Sequence, residues 1–143
     1  MPDMVITDQA IKEALDGLLS HPGQSLHVRL YTNNVSPDRT NQDPAQFTEA
    51  AYPGYAAVTW VYTPITLLGT HHTQLQPAVC SFNTPSSGGN VDVYGFWVDY
   101  IGLDTGIPRV LCAVRFPDAP RTLIVGAAPM TFNTFFEDFD DSL

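Results

Sequence analysis

A chain of 143 residues is long enough for one domain with its own hydrophobic core and too short for two ordinary domains. Hydrophobic residues make up 44% of it and charged residues only 15%, which excludes a disordered chain and leaves uncharged Thr, Asn, Gln and Ser to supply the polar surface. The net charge is −9, and the six basic residues are dispersed, so no basic stripe is available to bind nucleic acid.

No targeting or membrane-spanning segment is recognisable in the sequence. The first residues carry Asp3 and no Lys or Arg ahead of an apolar run, which does not fit a signal peptide. No apolar stretch approaches the ~20 residues that a membrane helix needs. We therefore expect a protein that is made in the cytoplasm and has no membrane contact.

The two cysteines, Cys80 and Cys112, are too far apart for a CxxC pair and too few for a metal knuckle or a disulfide scaffold. Both lie in apolar segments, which favours buried thiols. A disulfide between the two is the alternative.

Residues 8–20 have the pattern of an amphipathic helix. Thr7 or Asp8 is a suitable N-cap, apolar residues recur at intervals of three and four from Ile11 to Leu19, and the letters HPG that follow Ser20 end the pattern. A helix of this length is marginal alone in water, so its apolar stripe must pack on something. The sequence leaves open whether that is its own domain or a neighbouring chain.

The rest of the chain has the pattern of short β-strands. Leu26, Val28 and Leu30 alternate with polar neighbours, as in a half-buried strand. Runs rich in Val, Tyr, Phe, Trp and Thr, separated by Gly and Pro turns, cover 55–62, 76–82, 91–100, 109–116, 121–125 and 131–136. This spacing predicts a mainly β fold, a single antiparallel β-sandwich or jelly-roll-like barrel over residues 1–143 with one N-terminal α-helix. The predicted core positions are Leu26, Val28, Leu30, Val58, Trp60, Phe96, Val98, Leu111 and Val114.

A long loop over residues 32–52 interrupts the strands, because its Asn and Pro residues exclude a central strand. Long loops of this kind often carry function or a contact between subunits. Val35, Phe47 and Tyr52 are apolar side chains within it, and we expect them at a protein interface. For Phe47 and Tyr52 the sequence leaves two alternatives open, folding back on the domain or burial against a neighbouring chain.

The last seven residues, 137–143, carry four carboxylates that repel one another. They form a solvated acidic tail unless neighbouring aromatic rings anchor the tail to a surface. Phe135, Phe136 and Phe139 are those rings, and they complete the set of candidate interface residues.

No constellation in the sequence indicates catalysis, a cofactor or a metal. The patterns GxSxG, GxxxxGK[ST], GxGxxG and HExxH are all missing. Adjacent His71 and His72 diverge in a strand or a loop, so they do not predict a shared metal ion. Asp92 and Asp99 are seven residues apart within one predicted strand and so lie on opposite faces. We therefore expect a protein that is not an enzyme and has no cofactor.

Several short motifs are similar to a pattern found in small structural proteins of tailed bacteriophages. Residues 26–37 read LHVRLYTNNVSP and residues 47–57 read FTEAAYPGYAA, which resemble a strand ending in YxNN followed by FTEA and a PGYA turn. Residues 93–98, VYGFWV, and 110–116, VLCAVRF, resemble the paired strands of that pattern. The similarity extends over roughly residues 5–135, and the chain departs from the pattern at Cys112, Ala113 and Val114.

The resemblance implies a non-enzymatic component of the virion. Within that class we favour a capsid decoration, or cement, protein that binds the outer capsid surface and stabilises the shell. Its partner would be the major capsid protein, and a homotrimer suits the quasi-threefold positions that are common on shells. The alternatives are a tail or receptor-binding module that stacks Tyr and Trp rings on host glycans, and a small enzyme of unknown type.

Overall fold

The computed structural model describes residues 4–6, 24–61, 66–67, 73–102 and 104–136. Ten β-strands and one turn of 3₁₀ helix, Pro44–Gln46, account for the regular structure of these ranges. The prediction of a mainly β, antiparallel fold is confirmed, because every strand pair in the described ranges is antiparallel. The predicted helix over 8–20 and the acidic tail lie outside the described residues.

The largest sheet has five strands in the order β1-β8-β7-β2-β3. These strands are β1 (Met4–Ile6), β2 (Ser25–Tyr31), β3 (Val58–Val61), β7 (Gly95–Ile101) and β8 (Pro108–Arg115). β2 lies between β3 and β7, so the polar and apolar alternation that the sequence shows in β2 applies to a central strand.

Two smaller sheets complete the fold. One has the order β10-β5-β4, from β4 (Thr66–Leu67), β5 (Thr73–Phe82) and β10 (Met130–Phe136). The other pairs β6 (Val91–Val93) with β9 (Arg121–Leu123).

The main core lies between the five-stranded sheet and the two smaller sheets. Leu26, Val28 and Leu30 from β2 pack in one cluster with Cys80 and Phe82 from β5. A series of ring contacts crosses this core, from Tyr52 through Tyr55, Phe82, Phe132 and Phe96 to Phe116. Antiparallel sheets that face each other across such a core are compatible with a β-sandwich.

The predicted core positions are confirmed wherever the structure describes their burial, except at the edge of the sheet. Buried positions are Leu26, Val28, Leu30, Phe96, Val98, Leu111 and Val114. Val58 is only partly buried because β3 is an edge strand, and the side chain of Trp60 is not described. Cys80 and Cys112 are buried thiols that no disulfide joins, as the sequence predicts.

The central strand β7 is buried on both faces, which the alternating pattern of the sequence does not predict. All six residues from Gly95 to Tyr100 are buried, although successive side chains point to opposite faces of a strand. The face that carries Trp97 points away from the main core, and we call it the outer face. Something other than the second layer of the sandwich must therefore cover the outer face.

The predicted strand over 91–100 is in fact two strands in two different sheets. The break is at Tyr94, whose N–H donates to the carbonyl of Tyr31 and whose carbonyl accepts from the N–H of Phe116. Gly95 follows, and a Cβ there would overlap the carbonyl oxygen of Val114 and come within 2.6 Å of the Tyr31 hydroxyl. Only glycine fits at this crossing. Asp92 in β6 and Asp99 in β7 lie on either side of the break and therefore belong to separate sheets.

Removing a ring from the centre of the core tests this packing. Phe96 is 7% exposed, and its ring stacks on Phe132 with centroids 4.6 Å apart. We expect Phe96→Ala to lower the free energy of unfolding by about 3–5 kcal/mol, measured by urea denaturation, because a cavity replaces the ring. Val79→Ala is the matched control, since Val79 is 70% exposed and its loss should cost at most about 0.5 kcal/mol. Equal effects of the two substitutions would contradict the assignment.

Candidate functional site

Within the loop over residues 32–52, residues 32–49 cover the outer face, and we call these residues the covering loop. The loop leaves β2 at Tyr31 and returns beside it, because Thr32 N–H donates to Thr48 O at 2.9 Å and Ala50 N–H donates to Leu30 O at 2.9 Å. Its middle reaches β8, where Val110 N–H donates to Gln42 O at 2.9 Å. Hydrogen bonds therefore hold the loop at β2, where it begins and ends, and at β8, which its middle reaches.

An aromatic cluster joins the covering loop to the outer face. Phe47 from the loop stacks on Trp97 with centroids 5.0 Å apart and lies 4.8 Å from the ring of Tyr31. Val110 and Ala113 of β8 complete the buried part of this cluster, which is separate from the main core. Burial of these rings away from water is the main apolar contribution that holds the loop on the sheet.

The structure decides between the two alternatives for Phe47 and Tyr52, because both rings fold back on their own domain. Phe47 is 6% exposed in the outer cluster, and Tyr52 is 7% exposed in the main core, where its hydroxyl donates to Asn83 O at 2.6 Å. Such buried rings offer little surface to another chain, so their predicted place at an interface is corrected to a structural role. Val35 is partly buried against the outer cluster and keeps some exposed surface.

The other three candidate interface residues are in the C-terminal region. Phe135 and Phe136 lie in β10, but their side chains are not described. Phe139 lies outside the described residues. Their predicted contact with a partner stays a prediction.

A charged network ties the covering loop to β7 through Arg29 of β2. Arg29 Nε donates to Asp99 Oδ2 at 2.6 Å, and Arg29 Nη1 donates to Glu49 Oε1 at 2.9 Å. Asp99 belongs to the sheet, and Glu49 belongs to the loop. The backbone of Glu49 forms an isolated antiparallel β-bridge with Tyr31. One guanidinium group therefore bridges a carboxylate below the loop and a carboxylate on it, a geometry that the ammonium group of lysine does not reproduce.

Burial makes this network necessary. The side chain of Asp99 is 9% exposed, and a carboxylate at that depth is costly unless it is paired and hydrogen-bonded. His27 supplies a second partner, with Nδ1 at 3.2 Å from Asp99 Oδ1. Tyr55 donates its hydroxyl proton to Glu49 Oε1 at 3.0 Å and also accepts from the N–H of Leu30.

The pKa shifts within the site follow from burial and from these contacts. Burial alone would lower the pKa of Arg29, but its hydrogen bonds to Glu49 and Asp99 outweigh that effect and raise the pKa. Burial raises the pKa of Tyr55 far above its usual range. Burial also raises the pKa of Tyr31 to about 12, against the opposing charge of Arg115. Arg29 is therefore charged and both phenols are neutral at physiological pH.

The His27 and Asp99 pair resembles two members of a catalytic triad, which raises the question of a nucleophile. Among the described residues, no Ser, Thr or Cys side chain hydrogen-bonds to His27. Asp99 Oδ2 also accepts a hydrogen bond from Arg29 Nε, so the charge of Asp99 helps to hold the loop on the sheet. Within the described residues the pair therefore belongs to the network that holds the loop on the sheet.

Asparagines fix the rest of the covering loop. Asn33 donates to Gln46 O at 2.9 Å and accepts from Thr48 N–H at 2.8 Å, so it closes the loop on itself. Asn34 accepts from Arg115 Nη2 at 2.7 Å, and the same guanidinium donates to Val35 O at 3.1 Å. These hydrogen bonds therefore hold the loop in two places, where its two ends approach each other and where it lies beside Arg115 of β8.

The exposed polar side chains of the covering loop form a locally ordered surface, which we call the crest. Its exposed side chains include Asn34, Ser36, Asp38, Arg39 and Thr40. Asp38 accepts from both the N–H and the hydroxyl of Thr40, at 2.9 and 2.8 Å. These hydrogen bonds lower the pKa of Asp38. The crest is therefore a preformed surface made of hydrogen-bonding groups.

A groove of about 470 Å³ lies on another part of the surface, beside β9 and the turn that follows it. Its two charged side chains are paired with each other, since Arg121 Nε donates to Asp118 Oδ1 at 2.7 Å, and the guanidinium of Arg121 lies 4.2 Å from the centroid of the Phe116 ring. Ile124 is exposed beside it. The groove is open to solvent and is lined by polar and apolar side chains in similar measure.

The ranges that the structure describes contain no cluster of three or more His, Cys, Asp or Glu side chains able to hold a metal ion. His71 and His72 lie outside those ranges. No helix in those ranges has the length and the apolar character needed to cross a membrane.

Comparison with known proteins adds no family. No protein-family model, no curated protein and no solved structure matches this chain.

The charged network was not predicted from the sequence. Its members are at positions 27, 29, 49, 55 and 99, in four separate segments. The alternation in β2 does place His27 and Arg29 on the face opposite the core, which is the one local signal that points to them. Their pairing with Asp99 depends on the register between β2 and β7, in which His27 lies opposite Asp99.

Removing the bridging cation tests the network. We expect Arg29→Met to lower the free energy of unfolding by about 3 kcal/mol, because it leaves the carboxylate of Asp99 buried without its closest partner. Asp118→Asn is the control for an exposed ion pair and should cost at most about 1 kcal/mol. Both values come from urea denaturation at neutral pH.

A double variant separates the lost charge pairing from lost packing. Adding Asp99→Asn to Arg29→Met removes the buried charge, so the double variant should be more stable than Arg29→Met alone. A double variant as unstable as the sum of the two single variants would show that the network contributes nothing as a unit.

Alkaline titration tests the burial of Tyr31 beneath the loop. The pKa of Tyr31 is raised to about 12 in the folded protein, so stability is unaffected below the unfolded value of about 10 and falls as the pH rises from about 10 to about 12. Tyr31→Phe keeps the ring and should reduce that slope by up to about 1.4 kcal/mol per pH unit. An unchanged slope, measured by denaturation at several pH values, would place the Tyr31 hydroxyl in solvent.

Proposed function

We propose that this protein is a non-enzymatic structural component of a bacteriophage virion, a decoration protein that binds the outer capsid surface and stabilises the shell. The observation that carries the proposal is the bridge from Arg29 to Asp99 and Glu49. In this bridge the charged groups of the site hold a loop in place and are not arranged around a substrate. The specific assignment to a capsid rests on the resemblance of the YTNN, FTEA, PGYA and VYGFWV motifs.

A rigid loop suits a protein whose task is to bind a fixed surface. The covering loop is held by the aromatic cluster, the charged network and its own hydrogen bonds, so little conformational freedom is lost when its crest meets a partner. Tight binding to a shell needs such preorganisation, because area alone does not set affinity. The crest around Asp38 and Thr40 is the surface that we propose for the contact.

The charge of the chain supports a particular kind of contact. With six basic residues against 15 acidic ones, attachment does not depend on a basic patch. Hydrogen bonds from the crest would supply one part of the contact, and apolar groups of Val35 and of the aromatic end near Phe136 would supply the other. The partner in this proposal is the major capsid protein, the assembly is a homotrimer, and the N-terminal helix and a jelly-roll-like topology belong to the same proposal.

The structure offers less support to a glycan-binding tail module. Trp97 and Tyr100 are 3% and 0% exposed, so neither ring is available to stack on a sugar. Tyr94 is partly exposed but carries the guanidinium of Arg115 at 5.4 Å from its ring centroid.

Binding to empty shells tests the proposal. Shells assembled from the major capsid protein of the same genome would be mixed with the purified protein and sedimented. We expect the protein to sediment with the shells at about 10 μM and to remain bound when salt is raised from about 0.1 to 1 M, since screening weakens only charge-dependent contacts. No binding to shells would overturn the capsid assignment.

Two exposed aspartates provide a matched pair of variants for the same assay. Asp38→Ala removes the side chain that orders the crest, and we expect it to weaken binding by about tenfold, or roughly 1.4 kcal/mol. Asp118→Ala removes an equally exposed aspartate beside the groove and should leave binding unchanged. Equal effects of the two variants would show that the crest is not the contact surface.

A further inference from the structure

Among the described strands, β1 occupies an edge of the five-stranded sheet and pairs with β8 only. Its three residues lie opposite Cys112–Val114 of β8, with Val5 opposite Ala113 and Ile6 opposite Cys112. No described strand lies on its other side. A short strand at a sheet edge is held by its backbone hydrogen bonds to a single neighbour, so its place is defined by that neighbour's edge.

The chain between β1 and β2 is much longer than the distance that it must span. In the sheet order three strand spacings separate β1 from β2, or about 14 Å. Residues 7–24 can extend to about 60 Å, and still to roughly 35 Å if residues 8–20 form the helix that the sequence predicts. Covalent geometry therefore allows β1 to reach the β8 edge of an adjacent copy as well as its own.

We propose that β1 is exchanged between neighbouring copies of this protein, each copy adding its β1 to the β8 edge of the next. The backbone pairing is identical in the closed and the exchanged forms, so the local concentration of copies decides between them. A dilute chain closes β1 on its own β8. Copies held side by side on a surface compete for each other's edges, and head-to-tail exchange around a threefold axis closes a ring. This inference rests on the assembly of copies in the proposed function.

The register between β1 and β8 supplies a test with one substitution. Ile6 lies directly opposite Cys112, and paired residues on antiparallel strands have Cα atoms about 4.5–5.5 Å apart, within the range that a disulfide spans. Ile6→Cys therefore lets β1 form a disulfide with whichever β8 it occupies. Denaturing electrophoresis without reductant then separates links within a chain from links between chains.

The full-length Ile6→Cys protein would be equilibrated in a glutathione buffer at about 10 μM and at about 1 mM, which approaches the effective concentration that a flexible connection gives. We expect links within one chain at the lower concentration and at least a tenfold larger share of covalent dimers and trimers at the higher one. Adding Cys112→Ala should abolish both products. Links confined to single chains at both concentrations would overturn the proposal.

A second cysteine pair controls for accidental collisions between chains. Ser81→Cys and Thr131→Cys lie opposite each other on β5 and β10, and both positions are exposed. In a background with Cys80→Ala and Cys112→Ala, this pair should link within single chains at both concentrations. Covalent multimers at a similar level in this control would mean that collision explains those of Ile6→Cys, and exchange would then be rejected.

The outcome separates this inference from the proposed function. Links between Ile6→Cys chains in solution, together with no binding to shells, would keep strand exchange and reject the capsid role. Binding to shells with links only within chains, both in solution and on the shells, would keep the capsid role and reject strand exchange.

Discussion

The guanidinium of Arg29 lies between two carboxylates that belong to different layers of the protein, and the outer half of the structure depends on this contact. Asp99 is buried in the central strand and needs a cation, while Glu49 is carried by a loop that needs an attachment. Arg29 supplies the cation that the buried Asp99 needs and the attachment point that Glu49 needs, so one side chain meets both requirements. The result is a loop that covers a sheet face which would otherwise expose Trp97 and Tyr31 to water.

In the ranges that the structure describes, this loop adds a third layer and a second, separate cluster of buried apolar residues. The main core lies between the sheets, an arrangement compatible with an antiparallel sandwich, and the second cluster lies between the five-stranded sheet and the covering loop. The extra layer explains why the central strands are buried on both faces. It also explains how a chain with few charges keeps its large aromatic side chains from forming an exposed apolar patch.

Several residues of the YTNN and FTEA motifs are also the residues that hold this loop. Tyr31 and Phe47 belong to the aromatic cluster beneath the loop. Asn33 closes the loop on itself by its hydrogen bond to Gln46 O, and Glu49 accepts from Arg29. Their arrangement describes a scaffold that presents a fixed surface. In the two proposals made above, the crest contacts a foreign surface and the edge strand β1 contacts another copy of the chain.

The mainly β, antiparallel character of the fold, most of the inner core and the buried thiols could be predicted from the sequence, because alternation, turn residues and apolar runs are local signals. It also limited Phe47 and Tyr52 to two alternatives. Tertiary structure alone decided that both rings fold back, that the run over 91–100 divides at Gly95 between two sheets, and that His27 and Asp99 meet. The physical reason is strand register: a pattern of period two indicates which side chains share a face of one strand, whereas the neighbour across the sheet depends on how distant segments align.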